Sequence, residues 1–155
     1  MITTYNSYKR KIKAKNNGFS DKIFKNTSGG TLTGLEIYNQ VKNGNIQIDP
    51  FNIDQINPNS YNLRLAPVLK VYKEYTLDFK KKNETINLEI PKTGFVMQPG
   101  TFYLGSTIER TFTNKFVPTV NGRSSGGRLG LSIHETAGFG DIGFNGQWTL
   151  EITVN

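Results

Sequence analysis

The residues able to do chemistry concentrate in the last third of the chain. The run Gly122-Arg123-Ser124-Ser125-Gly126-Gly127-Arg128 sets two guanidinium groups around two hydroxyls and a glycine pair. Glycines let a backbone turn successive N–H groups toward an anion, hydroxyls add donors, and arginine matches phosphate oxygens two at a time. The composition is that of a phosphate cradle and equally that of a mobile basic loop; it lacks the G-x-x-x-x-G-K-[ST] spacing of a P-loop. Further on, Gln147-Trp148-Thr149-Leu150-Glu151-Ile152-Thr153-Val154 alternates strictly. Trp148, Leu150, Ile152 and Val154 share one strand face, and Glu151 projects from the polar face with Gln147, Thr149 and Thr153. A carboxylate there is either an ordinary cross-strand charge or a proton carrier. Between the two segments, Asp141 lies in the glycine-rich stretch 134–146, where it closes an Asx-turn, meets a sugar hydroxyl or positions a water. His134, the single histidine, reads as structural before catalytic.

Composition limits what these groups can be used for. None of the 155 residues is cysteine, which removes disulfides, thiol nucleophiles and thiolate metal sites, and one histidine removes multi-histidine metal centres. No apolar run is long enough to span a bilayer and no signal-peptide core is present, so the expectation is a cytoplasmic protein with no membrane partner. The net charge is +7 and the pI about 9.6, a balance that invites a nucleic-acid reading. Its distribution argues otherwise. Residues 1–30 carry seven basic side chains against Asp21, a net +6, which leaves +1 for residues 31–155. The tail 1–30, polar and without a sustained period, is expected to be disordered: a solvated leader or, less favoured, an arm for nucleic acid. Residues 31–155 form one domain.

The elements that must position the site are mostly short strands. Thr33-Gly34-Leu35-Glu36 has capping-box spacing and opens a helix of about three turns, with an apolar face of Leu35, Ile37, Tyr38 and Val41 and a stop at Gly44. Ile46 and Ile48 alternate with polar residues. A turn at Asn57-Pro58-Asn59-Ser60 leads into an extended segment 61–65, and strands are expected over 68–77, 86–90, 95–97, 101–108 and 147–154, with Lys80-Lys81-Lys82-Asn83 at a solvated hairpin tip. The pattern predicts a mainly β fold of sandwich or barrel type with one N-terminal helix.

Taken together, Val120-Asn121-Gly122-Arg123-Ser124-Ser125-Gly126-Gly127-Arg128-Leu129-Gly130-Leu131, then 134–146, then Thr149-Leu150-Glu151 resemble the dCTP deaminase branch of the dUTPase superfamily. Weaker similarity extends upstream through Leu32-Thr33-Gly34-Leu35-Glu36-Ile37, residues 55–65 (as a first conserved strand) and Gln98-Pro99-Gly100-Thr101-Phe102-Tyr103-Leu104-Gly105. The resemblance implies a distorted jelly-roll-like, dUTPase-type β fold and a homotrimer with active sites between subunits. It implies dCTP or dUTP as substrate and Mg²⁺ held through the nucleotide phosphates, with no metal ligand among the side chains and no zinc. Carried over position by position, Arg123, Ser124 and Ser125 would hold the triphosphate. Ser124 would also help place the attacking water, Arg128 would support the catalytic site, and Ala137 would offer its carbonyl to the water or the base. Asp141 would meet the deoxyribose, with Phe144 beside it, and Glu151 would shuttle protons.

The chemistry fits the composition independently. Cytosine deamination adds water at C4, protonates N3 and expels ammonia; the zinc route uses H-x-E with P-C-x-x-C and is closed to this chain. A positioned carboxylate must then move the protons, and burial at an interface would tune it. The substrate loop reads Thr136-Ala137-Gly138-Phe139, the pattern of relatives that also cleave the triphosphate, so the implied function is metal-free deamination of dCTP with release of dUMP and pyrophosphate. The alternatives are a dUTP diphosphatase without deaminase activity and an inactive nucleotide-binding regulator. Asn62, Gly126 and Gly140 stand where the family usually has Asp, Leu and Ile, and the two glycines are expected to loosen the site loops. The family continues beyond the Glu151 strand into a segment that closes over the nucleotide, so the domain is expected to be truncated at Asn155.

Overall fold

A computed structural model describes residues 30–155; the expectations for the basic tail lie outside the described residues. The domain is built on one antiparallel sheet behind a short helix. Helix α1 (Gly34–Lys42) shows the N-cap half of its capping box: the Thr33 hydroxyl accepts from the Glu36 N–H at 3.2 Å, the Glu36 carboxylate accepts from Gln40 Nε2 and not from the Thr33 N–H, and Gly44 follows the C-terminal turn at φ +73°. Only Gly34 and Ile37 of this helix are fully buried. The amide of Gly34 donates to the Pro58 carbonyl at 2.8 Å, an approach to the 57–58 backbone that leaves no room for a β-carbon.

Strands β1 (Ile46–Asp49), β2 (Val68–Tyr72), β3 (Thr85–Glu89), β4 (Tyr103–Thr113), β5 (Leu131–Ser132) and β6 (Asn145–Val154) complete the sheet in the order β3-β2-β4-β6-β5, with β1 also on β4. The 11-residue β4 is its axis. One edge pairs with β6, and the other meets β2 at Leu104, the 64–66 segment at 106–108, and β1 from Arg110 to Thr113. A bulge between Ser106 and Arg110 makes this change of partner possible. Side chains supply the ladder bonds lost there: Gln147 Nε2 donates to the Thr107 carbonyl at 2.8 Å, and the Trp148 N–H donates to the Thr107 hydroxyl at 3.0 Å. Trp148, Leu150 and Ile152 of β6 pack with Leu69, Tyr103 and Val120 as the buried core, as the alternation of β6 predicts.

Several expected strands differ. Strand β2 stops at Tyr72, and Tyr75 and Leu77 beyond it are exposed. Residues 95–97 form no strand, although Phe95 and Met97 still pack on the core. Residues 61–65 make only isolated bridges, at Tyr61 and Leu65. The reason is a carboxylate. Glu109 is fully buried in the inward row of β4, and its Oε2 accepts the backbone N–H of Arg64 at 2.8 Å, taking the place of a strand carbonyl. Its Oε1 accepts from Arg64 Nε at 2.6 Å and from Gln55 Nε2 at 3.0 Å. Burial alone would push the Glu109 carboxyl up, but these hydrogen bonds from Arg64 and Gln55 outweigh it and hold the group below its ordinary value.

Candidate active site

The site segments all hang between β4 and β6. After Thr113 the chain runs through 114–123 into the single helical turn α2 (Ser124–Gly127), then β5, then the loop 133–144 that returns to β6. The glycine pair expected to open an anion nest winds into that turn instead: neither Gly126 nor Gly127 has a positive φ, and their N–H and C=O groups serve it through Gly127 N–Arg123 O (2.9 Å) and Leu129 N–Gly126 O (2.9 Å). The turn brings Arg128 back over Ser124. The guanidinium donates to the Ser124 hydroxyl and to its carbonyl, both at 3.3 Å, while Arg123, Ser124, Ser125 and Arg128 all remain exposed. Two arginines and two hydroxyls thus form one solvent-facing donor group. It packs against β5 through Gly126 and Leu131.

The second loop is tied to the first. Thr119 bridges Phe139, with Val120 N donating to the Gly138 carbonyl at 2.7 Å and Gly140 N to the Pro118 carbonyl at 2.8 Å. His134 Nε2 lies 3.3 Å from Asn121 Oδ1 and its ring packs over Gly138, while its buried Nδ1 has no hydrogen-bond partner among the described residues. Thr136 and Ala137 sit exposed at the crest of the loop. Asp141 begins a tight turn in which its main-chain carbonyl accepts the Phe144 N–H at 3.1 Å and Gly143 takes φ +90°. The carbonyl closes this turn, so the Asp141 carboxylate is exposed and uncommitted among the described residues. Phe144 leans on Trp148, ring centroids 5.4 Å apart. Gly140 does not loosen the loop: a β-carbon there would run into the Trp148 ring and lie 3.2 Å from Pro118 Cγ, so glycine is what lets this segment lie on the indole.

Glu151 sits on the opposite face of β6 from Trp148 and is half-buried. Its amide donates to the Ile133 carbonyl at 3.0 Å, and its Oε2 accepts the Glu135 N–H at 2.9 Å. Glu135 in turn accepts the Thr153 hydroxyl on Oε1 at 2.9 Å. The arrangement therefore offers a carboxylate held from one side, an exposed loop beside it, and a solvent-facing cluster of hydrogen-bond donors on the strand-adjacent turn. Among the described residues no hydrogen bond joins the Ser124–Arg128 pair, Asp141 and Glu151 to one another.

A family model described as dCTP deaminase-like matches residues 31–155. The chain belongs to the dCTP deaminase-like family. Among its relatives, a protein from Hathewaya histolytica named dCTP deaminase, dUMP-forming, is 58% identical over 121 residues, covering 78% of this chain and 70% of that protein. One of the same name from Leptospira biflexa is 54% identical over 123 residues, covering 79% and 70%. The crystal structure of 2′-deoxycytidine 5′-triphosphate deaminase from Agrobacterium tumefaciens superposes with a TM-score of 0.61 at 20% identity, covering 81% of this chain and 42% of that one, a likeness of fold. The mainly β, dUTPase-type architecture expected from the sequence is the one this dCTP deaminase-like chain has.

Three contributors escaped sequence reasoning. Glu135 acts through its main chain, which no side-chain motif reveals. Thr153 was legible only as a face-mate of Glu151, two residues on. Asn121 lay inside the quoted motif with no role given to it. Among the described residues no helix is long and apolar enough to cross a membrane.

Proposed function

We propose that the chain catalyses hydrolytic deamination of dCTP and then cleaves the triphosphate, releasing ammonia, dUMP and pyrophosphate. The observation that carries this is the placement of Glu151 within a chain whose curated relatives are named dCTP deaminase, dUMP-forming: a half-buried carboxylate held by one main-chain N–H, next to a loop whose residues Thr136 and Ala137 are exposed. In this reading water adds to C4 of cytosine as Glu151 takes its proton and passes it to N3. A second transfer protonates the amino group, the C4–N bond breaks, and ammonia leaves to give dUTP. A second water then attacks phosphorus to give dUMP and pyrophosphate, oriented by Asp141 or Glu151. Arg123, Ser124 and Ser125 bind the triphosphate, Ser124 also helps place the attacking water, Arg128 supports the catalytic site, Ala137 offers its carbonyl to the water or the base, and Thr136 and Gly138 contact the substrate beside it. Asp141 and Phe144 meet the sugar.

The donors of the 123–128 segment are N–H and O–H groups suited to phosphate oxygens, and they fit a Mg²⁺ held by the triphosphate and not by side chains. Bound there, the ion would neutralise phosphate charge. Assembly as a homotrimer with sites between subunits is supported by exposed apolar side chains beside the site loops, Val117, Phe139 and Ile142, which are 55%, 80% and 56% accessible. A deoxynucleoside triphosphate substrate implies the cytoplasm. A dUTP diphosphatase without deaminase activity, or an inactive nucleotide binder, is not favoured by relatives whose names carry the deamination. Incubating the protein with dCTP and with dUTP separately, and following ammonia, dUMP and pyrophosphate, tests the proposal. Ammonia and dUMP from dCTP are expected; pyrophosphate from dUTP with no ammonia from dCTP would overturn it.

A further inference from the structure

We infer that Glu135 is a positioning residue for Glu151 and that Thr153 is what holds Glu135 in place. The inference rests on the reading of Glu151 as proton carrier. The pairing of β5 with β6 ends at Ser132–Thr153, and beyond it one ladder-like bond, Glu151 N to Ile133 O at 3.0 Å, keeps the two chains together. Glu135 lies past that bond in an exposed loop, where nothing in the ladder fixes the direction of its N–H. Its own side chain does so. Glu135 Oε1 accepts the Thr153 hydroxyl at 2.9 Å, and this anchors the residue over the polar face of β6 with its N–H 2.9 Å from Glu151 Oε2. Thr153 and Glu151 are two residues apart on one strand, so they share a face and the anchor reaches the shuttle without touching it.

The contact chain brings two carboxylates to one patch, and neighbouring like charges on a sheet are destabilising. A neutral amide would anchor the loop at least as well. What the anchor accomplishes is to occupy Oε2 and restrict Glu151 to one orientation, leaving Oε1 without a protein partner among the described residues and available to substrate. Holding a reacting group in place in this way is worth rate, not binding.

The test compares Glu135→Ala, Glu135→Gln, Thr153→Val and Thr153→Ser in the full chain, with Glu151→Gln as reference. Ammonia release from dCTP should fall about tenfold in kcat for Glu135→Ala and Thr153→Val, the size one lost hydrogen bond carries, with KM changed by less than about twofold. Glu135→Gln and Thr153→Ser, which keep the acceptor and the hydroxyl, should restore most of the rate, and the double variant Glu135→Ala/Thr153→Val should lose little more than either single one. In ¹⁵N-labelled protein the Glu135 amide proton should move upfield and exchange faster in Thr153→Val, although residue 153 does not touch that amide. An unchanged kcat in both disruptive variants, or an unmoved Glu135 amide, overturns the inference. If Glu151→Gln itself retains full activity, the reading of Glu151 fails; if it is inactive while Glu135→Ala is normal, only the positioning role fails.

Discussion

Glu109 on β4 and Glu151 on β6 are carboxylates on neighbouring strands of one sheet. Glu109 is fully buried and accepts three hydrogen bonds, from the Arg64 main chain, the Arg64 guanidinium and Gln55. Glu151 is half-buried and, among the described residues, accepts one, from the Glu135 N–H. The first group has both oxygens engaged by protein donors and replaces a stretch of ladder, tying residues 61–65 to the bulge in β4. The second keeps an oxygen in reserve. A buried carboxylate with both oxygens engaged by protein serves architecture; one held from a single side can still exchange a proton with a ligand.

The contrast can be broken most forcefully at Glu109. Glu109→Ala leaves the Arg64 N–H and the Gln55 amide without their acceptor beside a cavity, while the half-exposed Arg64 guanidinium turns to water, and should destabilise the fold by about 2–4 kcal/mol. Glu151→Ala, on the open face, should cost less than about 1 kcal/mol. Urea unfolding followed by circular dichroism measures both, and equal losses would erase the distinction. An intermediate effect is expected at Gly140. Gly140→Ala forces a methyl against Trp148 and should cost about 1–3 kcal/mol, visible also as a change in tryptophan fluorescence as the Phe144–Trp148 contact opens.

The smallest effect is a pH dependence. Because the Glu109 carboxyl is held below its ordinary value of 4.5, the unfolded chain binds the proton more readily than the folded one. Its contribution to stability is therefore complete above pH about 4.5 and is lost as pH falls through the depressed folded value. Unfolding free energies measured across this acid range should slope downward toward low pH in the wild type, and the slope should flatten in Glu109→Gln.

The two carboxylates also mark what could be read in the sequence. Helix α1 announced itself through Thr33 and Glu36, and β6 through its alternation, so the strand face bearing Glu151 was visible in eight residues. Glu109 was not. The strand around it was expected to end at Ile108, because nothing local signals a bulge that lets β4 leave β2 and continue beside β1. Its partners Gln55 and Arg64 lie 54 and 45 residues away. The same non-local pairing explains why residues 61–65 looked like a strand yet make only bridges. Gly140 was misread for a related reason. Its lack of a side chain suggested looseness, whereas the indole of Trp148, eight residues on, requires it.

The central claim, that Glu151 moves the protons of deamination, is tested most directly by Glu151→Gln. The substitution preserves shape and one acceptor oxygen while removing the ionisable group. Ammonia release from dCTP should fall by about a thousandfold, the scale of a lost general acid–base, while dCTP binding measured by calorimetry stays within about threefold of wild type. Ammonia released by Glu151→Gln at close to the wild-type rate would contradict the account.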